Sequence, residues 1–125
     1  MKTSLTDFEW SVLSALWKQP NQTISGIIKT TNGYSDWKYN TFVIYIKRMC
    51  EKNLIAFEQL GRDKFYYPLV AQKDCIMAES ESMLKRIDGK VAKEFLVCMI
   101  KGSGLSEQDC EELKALLDDL NKEGE

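Results

Sequence analysis

The side chains that could do chemistry are concentrated between positions 37 and 54, which read WKYNTFVIYIKRMCEKNL. Phe42, Ile46 and Met49 recur at i, i+4 and i+7, so they lie on one side of a helix and predict a buried face. Two rows on the other sides mix amide, hydroxyl, charged and aliphatic groups: Asn40, Val43, Lys47 and Glu51, then Thr41, Ile44 and Arg48. Such a mixture suits the base edges and phosphates of a duplex major groove.

The sequence favours no enzyme class. It contains no histidine, and it has no nucleophile elbow and no phosphate-binding glycine loop. The four cysteines, Cys50, Cys75, Cys98 and Cys110, stand far apart and lack the spacing of a metal site, so we expect neither a metal nor a cofactor. With no export signal in view, they are predicted to be reduced and mostly buried thiols.

Charge is distributed unevenly along the chain. The formal net charge is −2. Residues 1–70 carry nine basic and six acidic side chains, a net +3, whereas residues 71–125 carry eight basic and thirteen acidic ones, a net −5. This asymmetry suits a nucleic-acid-binding module joined to a part that stays off the phosphates, although ordinary variation in surface charge explains it equally well.

Apolar residues make up 44% of the chain, enough for a true core, but their uninterrupted runs are only a few residues long. We therefore expect no membrane insertion. The opening MKTSLTDFEW lacks the apolar core of a secretory signal, which leads us to expect a cytoplasmic protein.

Capping signals predict the elements that come before the central helix. Thr6 and Glu9 form a capping box that starts a helix, which Pro20 ends. Its predicted core stripe comprises Trp10, Leu13, Leu16 and Trp17. Thr23 caps a second, short helix that is expected to stop near Asn32 and Gly33 and to brace the third as in a helix-turn-helix.

Two β-prone segments follow, at residues 55–60 and 64–69, joined by the turn residues Gly61, Arg62 and Asp63. Three helices and then a hairpin with a basic tip is the order of a winged helix. Arg62 and Lys64 would then meet phosphate, or else remain solvated hairpin charges.

Helical patterns with acidic surfaces occupy the rest of the chain, from residue 71 onward. One helix is expected to end near Asp88, a second carries Phe95 and Met99 and stops near Gly102, and a third starts at a capping box of Ser106 and Asp109. The last helix has a leucine face, formed by Leu113, Leu116, Leu117 and Leu120. Such faces need an apolar partner: a second copy of the chain, or their own domain.

Together these residues resemble the penicillinase-repressor (BlaI/MecI/CopY) family of bacterial winged-helix regulators. Leu5-Thr6, Glu9-Trp10, Val12-Leu13 and Leu16-Trp17 are similar to its opening. Trp37, Thr41, Arg48 and Lys52 fall on its third helix, and its wing and last helix are matched by Gly61-Arg62, Phe65, Tyr67-Pro68, Leu105-Ser106 and Leu113. The resemblance spans nearly the whole chain.

The resemblance implies a homodimeric repressor on a palindromic, inverted-repeat operator, held together by its C-terminal helices. In the family, a membrane sensor often triggers cleavage in the helix before the last one, which aligns near Cys98 and Met99. Well-known members have Asn-Phe there. The chain also departs from the family at Lys38-Tyr39, where Ser-Pro is usual, and at Asn53, where Gly is usual.

The sequence therefore predicts a mainly α fold with a small hairpin: a winged helix-turn-helix at residues 1–70, followed by dimerisation helices at 71–125. The predicted DNA-binding residues are Lys38, Tyr39, Asn40, Thr41, Ile44, Lys47, Arg48, Arg62 and Lys64. The predicted dimerisation residues are Phe95, Met99, Leu113, Leu116, Leu117 and Leu120. Two alternatives stay open: a winged-helix module that docks a protein through Val43 and Ile44, and a thiol-based redox regulator.

Overall fold

The computed structural model describes residues 4–31 and 33–123, which form six helices and one antiparallel hairpin. In chain order the elements are α1 (Asp7–Lys18), α2 (Ile24–Thr30), α3 (Tyr39–Glu51), β1 (Ile55–Leu60), β2 (Asp63–Pro68), α4 (Gln72–Arg86), α5 (Gly89–Gly102) and α6 (Glu107–Glu123). The predicted fold class, a winged helix-turn-helix followed by helices, is confirmed. The chain divides into two compact units, one ending at Met83 and one starting at Leu84. The division therefore falls inside α4, and the predicted boundary after residue 70 stays a prediction.

The predicted capping box starts α1. The Glu9 backbone N–H donates to Thr6 Oγ1 at 3.1 Å, and the Thr6 N–H donates to Glu9 Oε1 at 2.9 Å. The helix ends at Lys18, because Pro20 lies two residues beyond and cannot continue it. Asn32, at which α2 was expected to stop, lies outside the described residues, and α2 itself ends at Thr30.

The core of the first unit is built mainly from one side of α1 and the buried side of α3. Leu13 and Leu16 are fully buried, as predicted, but Trp10 is only half-buried and Trp17 packs at the margin of the core. The stripe prediction was right for the two leucines and wrong for Trp10, because the other side chains that α1 buries are Phe8, Glu9, Val12 and Ala15. Trp17 instead donates from Nε1 to the Val70 carbonyl at 2.9 Å.

A backbone bridge that the sequence did not reveal ties the hairpin to the helices. Gln22 and Tyr66 exchange two backbone hydrogen bonds, of 3.2 and 2.8 Å, so Gln22 adds a one-residue third strand to the sheet. The Gln22 side chain is buried and donates to the carbonyls of Ala15 and Gln19. One residue therefore fixes the end of α1 against the wing.

The hairpin pairs β1 with β2 in the register Ile55 to Pro68 and Leu60 to Asp63. Only Gly61 and Arg62 remain for the turn, and Gly61 has φ +65°, which a side chain would disfavour. Asp63 belongs to β2, so the turn is one residue shorter than the sequence predicted.

The helices α4, α5 and α6 contain no buried residue among those described. The capping box of α6 is present: Asp109 N donates to Ser106 Oγ at 3.1 Å, and Ser106 N donates to Asp109 Oδ2 at 3.3 Å. The helix expected to end near Asp88 ends at Arg86, and Asp88 caps the start of α5 by accepting from Lys90 N at 3.0 Å. Within the described residues, no helix combines the length and the apolar character needed to cross a membrane.

Candidate nucleic-acid interface

The third helix is held by one buried side and offers the opposite side to solvent. Phe42, Ile46 and Met49 are each at most 1% exposed, as the spacing predicted. Asn40, Ile44 and Lys47 are exposed and follow one another at i, i+4 and i+7. Of the other predicted outward positions, Thr41 and Val43 are half-buried and stand at the edges of the exposed row, whereas Arg48 and Glu51 are exposed.

The start of α3 carries no side-chain cap. Lys38 is the N-cap residue, and its side chain accepts no hydrogen bond, while its carbonyl accepts from Thr41 N and Phe42 N at 3.0 and 3.2 Å. Lys38 and Tyr39 are both exposed. A helix start concentrates backbone N–H donors and partial positive charge, so this end of α3 favours an anion.

The wing brings two basic side chains beside that helix start. Arg62 stands exposed at the turn, and Lys64 lies on β2 directly opposite Gln59. Lys64 Nζ lies 4.5 Å from the centre of the Phe57 ring, so a cation–π contact restrains it.

An open cleft of about 240 Å³ connects the wing to the starts of α2 and α3. Its lining is mostly hydroxyl and basic: Thr23, Ile24, Ser25, Tyr39, Arg62, Asp63, Lys64 and Tyr66. Hydroxyl, lysine and arginine groups are the usual ligands of backbone phosphate. Ser25 was not among the predicted site residues, because only the fold brings the start of α2 to the wing, and Tyr66 of the wing itself was not predicted to line the site.

Arg48 does not line that cleft but lies in another one, among aromatic side chains. Its guanidinium carbon lies 4.9 Å from the centre of the Tyr45 ring. Tyr45 in turn packs against Trp37, at 5.1 Å between ring centres, and Phe8 stacks on Trp37 at 4.9 Å. This aromatic cluster, which also contains Tyr34 and Phe42, fixes the side of α3 next to α1. This cluster could not be predicted from the sequence, which shows only the number of aromatic residues.

A partly buried ion pair joins the end of α3 to the start of α1. Lys52 Nζ lies 2.6 Å from Glu9 Oε2, and the Glu9 side chain is 7% exposed against 39% for Lys52. Asn53 then takes φ +61°, the left-handed conformation that Asn tolerates at a helix end where Gly is usual. The C-terminal end of α3 is therefore held against the start of α1, and the chain turns away directly after it.

The cysteines are less buried than the sequence predicted. Cys50 and Cys75 are half-buried, and Cys98 and Cys110 are exposed. The prediction of mostly buried thiols was wrong because the two exposed cysteines lie on α5 and α6, which bury no residue. Burial raises the pKa of the Cys50 thiol, an effect that Lys64 partly offsets and Glu51 reinforces. Burial and the neighbouring Asp74 carboxylate raise the pKa of the Cys75 thiol.

The predicted dimerisation residues lie on the α5 and α6 surfaces. Five of the six are exposed, with Leu117 the most exposed at 64%, and Leu113 is half-buried. The same two helices expose further large apolar side chains: Val91, Leu96 and Ile100. Cys98 and Met99, the predicted cleavage region, are exposed but lie inside the continuous helix α5.

Comparison with known proteins identifies the family. The model of the penicillinase repressor family matches residues 5–119. The chain belongs to the penicillinase repressor family. Members of this family are transcriptional repressors and not enzymes, so the chain is a winged-helix DNA-binding repressor and the expectation that it is not an enzyme is confirmed.

Individual relatives match over nearly their full length. The chain is 24% identical to a penicillinase repressor of Bacillus licheniformis over 115 residues, which is 92% of this chain and 90% of that one. It is 23% identical to a penicillinase repressor of Staphylococcus aureus over 114 residues, 91% and 90% of the two chains. A structure of a S. aureus MepR mutant bound to an oligodeoxyribonucleotide has the same fold, with a TM-score of 0.50 and 19% identity over 97% of this chain and 80% of that one.

Proposed function

We propose that this penicillinase-repressor family member acts as a homodimer that binds an inverted-repeat operator and represses the genes beside it. The observation that supports this most is the exposed row Asn40, Ile44 and Lys47, which stands next to a basic wing. The buried side of α3 leaves this row no role in the core. The major groove of DNA is wide enough to admit one α-helix, and the three residues lie on the exposed side of a single helix.

In this proposal the site residues divide into two groups. Asn40, Ile44 and Lys47 read base edges, with Thr41 at the margin of the row. Four basic side chains, Lys38, Arg48, Arg62 and Lys64, contact phosphate, and Tyr39 joins them through the wing cleft. Phosphate contacts set the register of α3 on the duplex, and the base contacts carry the sequence information.

The homodimer is supported by the apolar faces of α5 and α6. Phe95 is 42% exposed and Met99 is 55% exposed, and Leu116 and Leu120 are both 52% exposed. Water-facing apolar surface of this kind marks an interaction site. A second copy of the same faces covers it symmetrically, and two-fold symmetry matches an inverted repeat.

The switch that releases the operator follows the family in this proposal: a membrane sensor triggers a protease that cuts near Cys98 and Met99. Proteases bind extended backbone, and these residues lie in mid-helix. Cleavage therefore requires α5 to open locally, and its rate should follow the population of the opened helix. A repressor works on the chromosome, so we also place the protein in the cytoplasm.

Selection of the purified protein against a randomised duplex library, followed by titration in several salt concentrations, tests the proposal. A dimer that contacts phosphate through four basic side chains in each protomer should give a slope of about −7 when the logarithm of the binding constant is plotted against the logarithm of the salt concentration. An Arg62→Gln variant should reduce that slope by about 2, because each dimer loses two contacts. Lys29→Gln, on α2 outside the described interface, is the matched control and should leave the slope unchanged.

An enriched inverted repeat bound by two protomers would support the proposal. Weak binding to any duplex without enrichment would contradict it and would favour the alternative of a protein-docking module. A thiol-based regulator would instead lose DNA affinity on mild oxidation with peroxide, in step with the loss of free thiols.

A further inference from the structure

Ile44 stands in the middle of the exposed row of α3. It is 51% exposed, with Asn40 one turn before it and Lys47 about one turn after it, both also exposed. At a rise of 1.5 Å per residue the row is about 10 Å long, which corresponds to about three base pairs. Ile44 is therefore placed over the middle of the base pairs that the row meets.

The surroundings of Ile44 do not form a protein-docking patch. Val43 is half-buried, and an amide and an ammonium group flank Ile44 along the row. Exposed apolar side chains that form docking sites occur in contiguous patches of a few hundred Å² or more, whereas single ones do not. The extensive apolar faces of this chain lie instead on α4, α5 and α6.

The major groove offers one apolar group to an aliphatic side chain, the C5-methyl of thymine. We propose that Ile44 is a specificity-determining residue that contacts the C5-methyl group of one thymine in each half-site, in the middle of the base pairs that the row meets. The proposal rests on the repressor function above and names the base that the helix centre selects. Asn40 beside it has the amide that pairs with an adenine edge, so the row as a whole favours A·T steps.

Uracil scanning tests this contact, because replacing thymine by uracil removes the methyl group and leaves base pairing intact. Each thymine of the duplex selected by the protein is replaced in turn, and affinity is measured by fluorescence anisotropy. At one position in each half-site, the replacement should lower the affinity about fourfold. This corresponds to about 0.8 kcal/mol, the contribution of burying one methyl-sized group. Substitution at both symmetric positions should lose about sixteenfold.

Protein variants assign the loss to the side chain. Ile44→Ala should bind the thymine duplex more weakly but should no longer distinguish thymine from uracil at that position, which a double-mutant cycle measures directly. Lys47→Ala is the matched control. It should lower affinity through its lost charge and keep the full uracil penalty.

The outcomes separate this proposal from the repressor function. A selected duplex at which no thymine is sensitive to uracil would overturn the thymine contact while the repressor function stands. So would an Ile44→Ala variant that keeps the penalty. If the library yields no enriched duplex, the proposed function itself fails, and the thymine contact fails with it.

Discussion

The ion pair between Glu9 and Lys52 should contribute asymmetrically to the stability of the first unit. Glu9 is nearly buried, whereas Lys52 keeps 39% of its side chain in water. Removing the lysine therefore takes an ammonium group away from a buried carboxylate, whereas removing the carboxylate leaves a lysine that water can solvate. The two deletions break the same contact but have different costs.

The expected magnitudes follow from burial. Loss of one partner of a buried pair costs about 3 to 5 kcal/mol, and loss of an exposed pair costs about 0 to 1 kcal/mol. Because Glu9 still accepts from Thr6 N, Lys52→Met should lower the free energy of unfolding by about 2 kcal/mol. Glu9→Gln should cost about 1 kcal/mol, since glutamine can still complete the capping box.

Urea unfolding followed by tryptophan fluorescence is the appropriate assay, because all three tryptophans, Trp10, Trp17 and Trp37, lie in the first unit. Protein concentration is held constant, so that association contributes equally to every variant. Lys47→Met, at an exposed lysine of the same helix, is the control and should change the unfolding free energy by less than about 0.5 kcal/mol.

The reasoning is refuted if Lys52→Met costs no more than Lys47→Met, or if Glu9→Gln costs more than Lys52→Met. In the Glu9→Gln background, Lys52→Met should cost almost nothing further, because residue 9 then carries no charge for the lysine to pair with. A full additional 2 kcal/mol in that background would show that the lysine acts through its packing and not through the ion pair.

Three further results are expected. Tyr45→Leu should weaken DNA binding about two- to fivefold in anisotropy titrations by releasing Arg48 from the ring, whereas Tyr45→Phe should bind like the parent; equal losses would exclude the cation–π contact. Because burial raises the pKa of Cys50, its alkylation at pH 8 should be slower than that of exposed Cys98, as measured by peptide mass spectrometry, and equal rates would contradict this. Leu117→Glu should weaken self-association at least tenfold in sedimentation experiments, and an unchanged dimer would remove α6 from the proposed interface.

Features determined by neighbours in sequence were predicted well. The capping boxes at Thr6 and Ser106 involve residues three apart, so their hydrogen bonds need no tertiary context. The buried side of α3 followed from the spacing of Phe42, Ile46 and Met49 for the same reason. Asn53 took the left-handed conformation because few residues other than Gly and Asn can end a helix in that way.

Features determined by contacts between distant segments were missed. Gln22 was not recognised as part of the sheet, because a single bridging residue has no period or propensity signal. Trp10 was assigned to the core because its spacing fits a helical stripe, but it is only half-buried. The partner of Lys52 depends on how α1 and α3 pack, which no local pattern encodes.

The candidate site shows the same division. The residues on α3 and at the wing tip could be named in advance, whereas the cleft residues Ser25 and Tyr66 became visible only when α2, α3 and β2 were brought together. The half-burial of Thr41 and Val43 likewise depends on packing. Which of the named residues contact DNA stays a prediction.

Within the described chain, α4, α5 and α6 contain no buried residue. This affects how operator occupancy depends on the concentration of repressor in a cell. If those faces are covered by a second copy, operator occupancy rises with the square of the monomer concentration at low abundance. Newly made or diluted chains would expose the same faces and the same helix α5 to proteases. Turnover would then remove scarce repressor faster than abundant repressor. Such a protein responds sharply to its own rate of synthesis, so small changes in expression would give large changes in transcription from the operator.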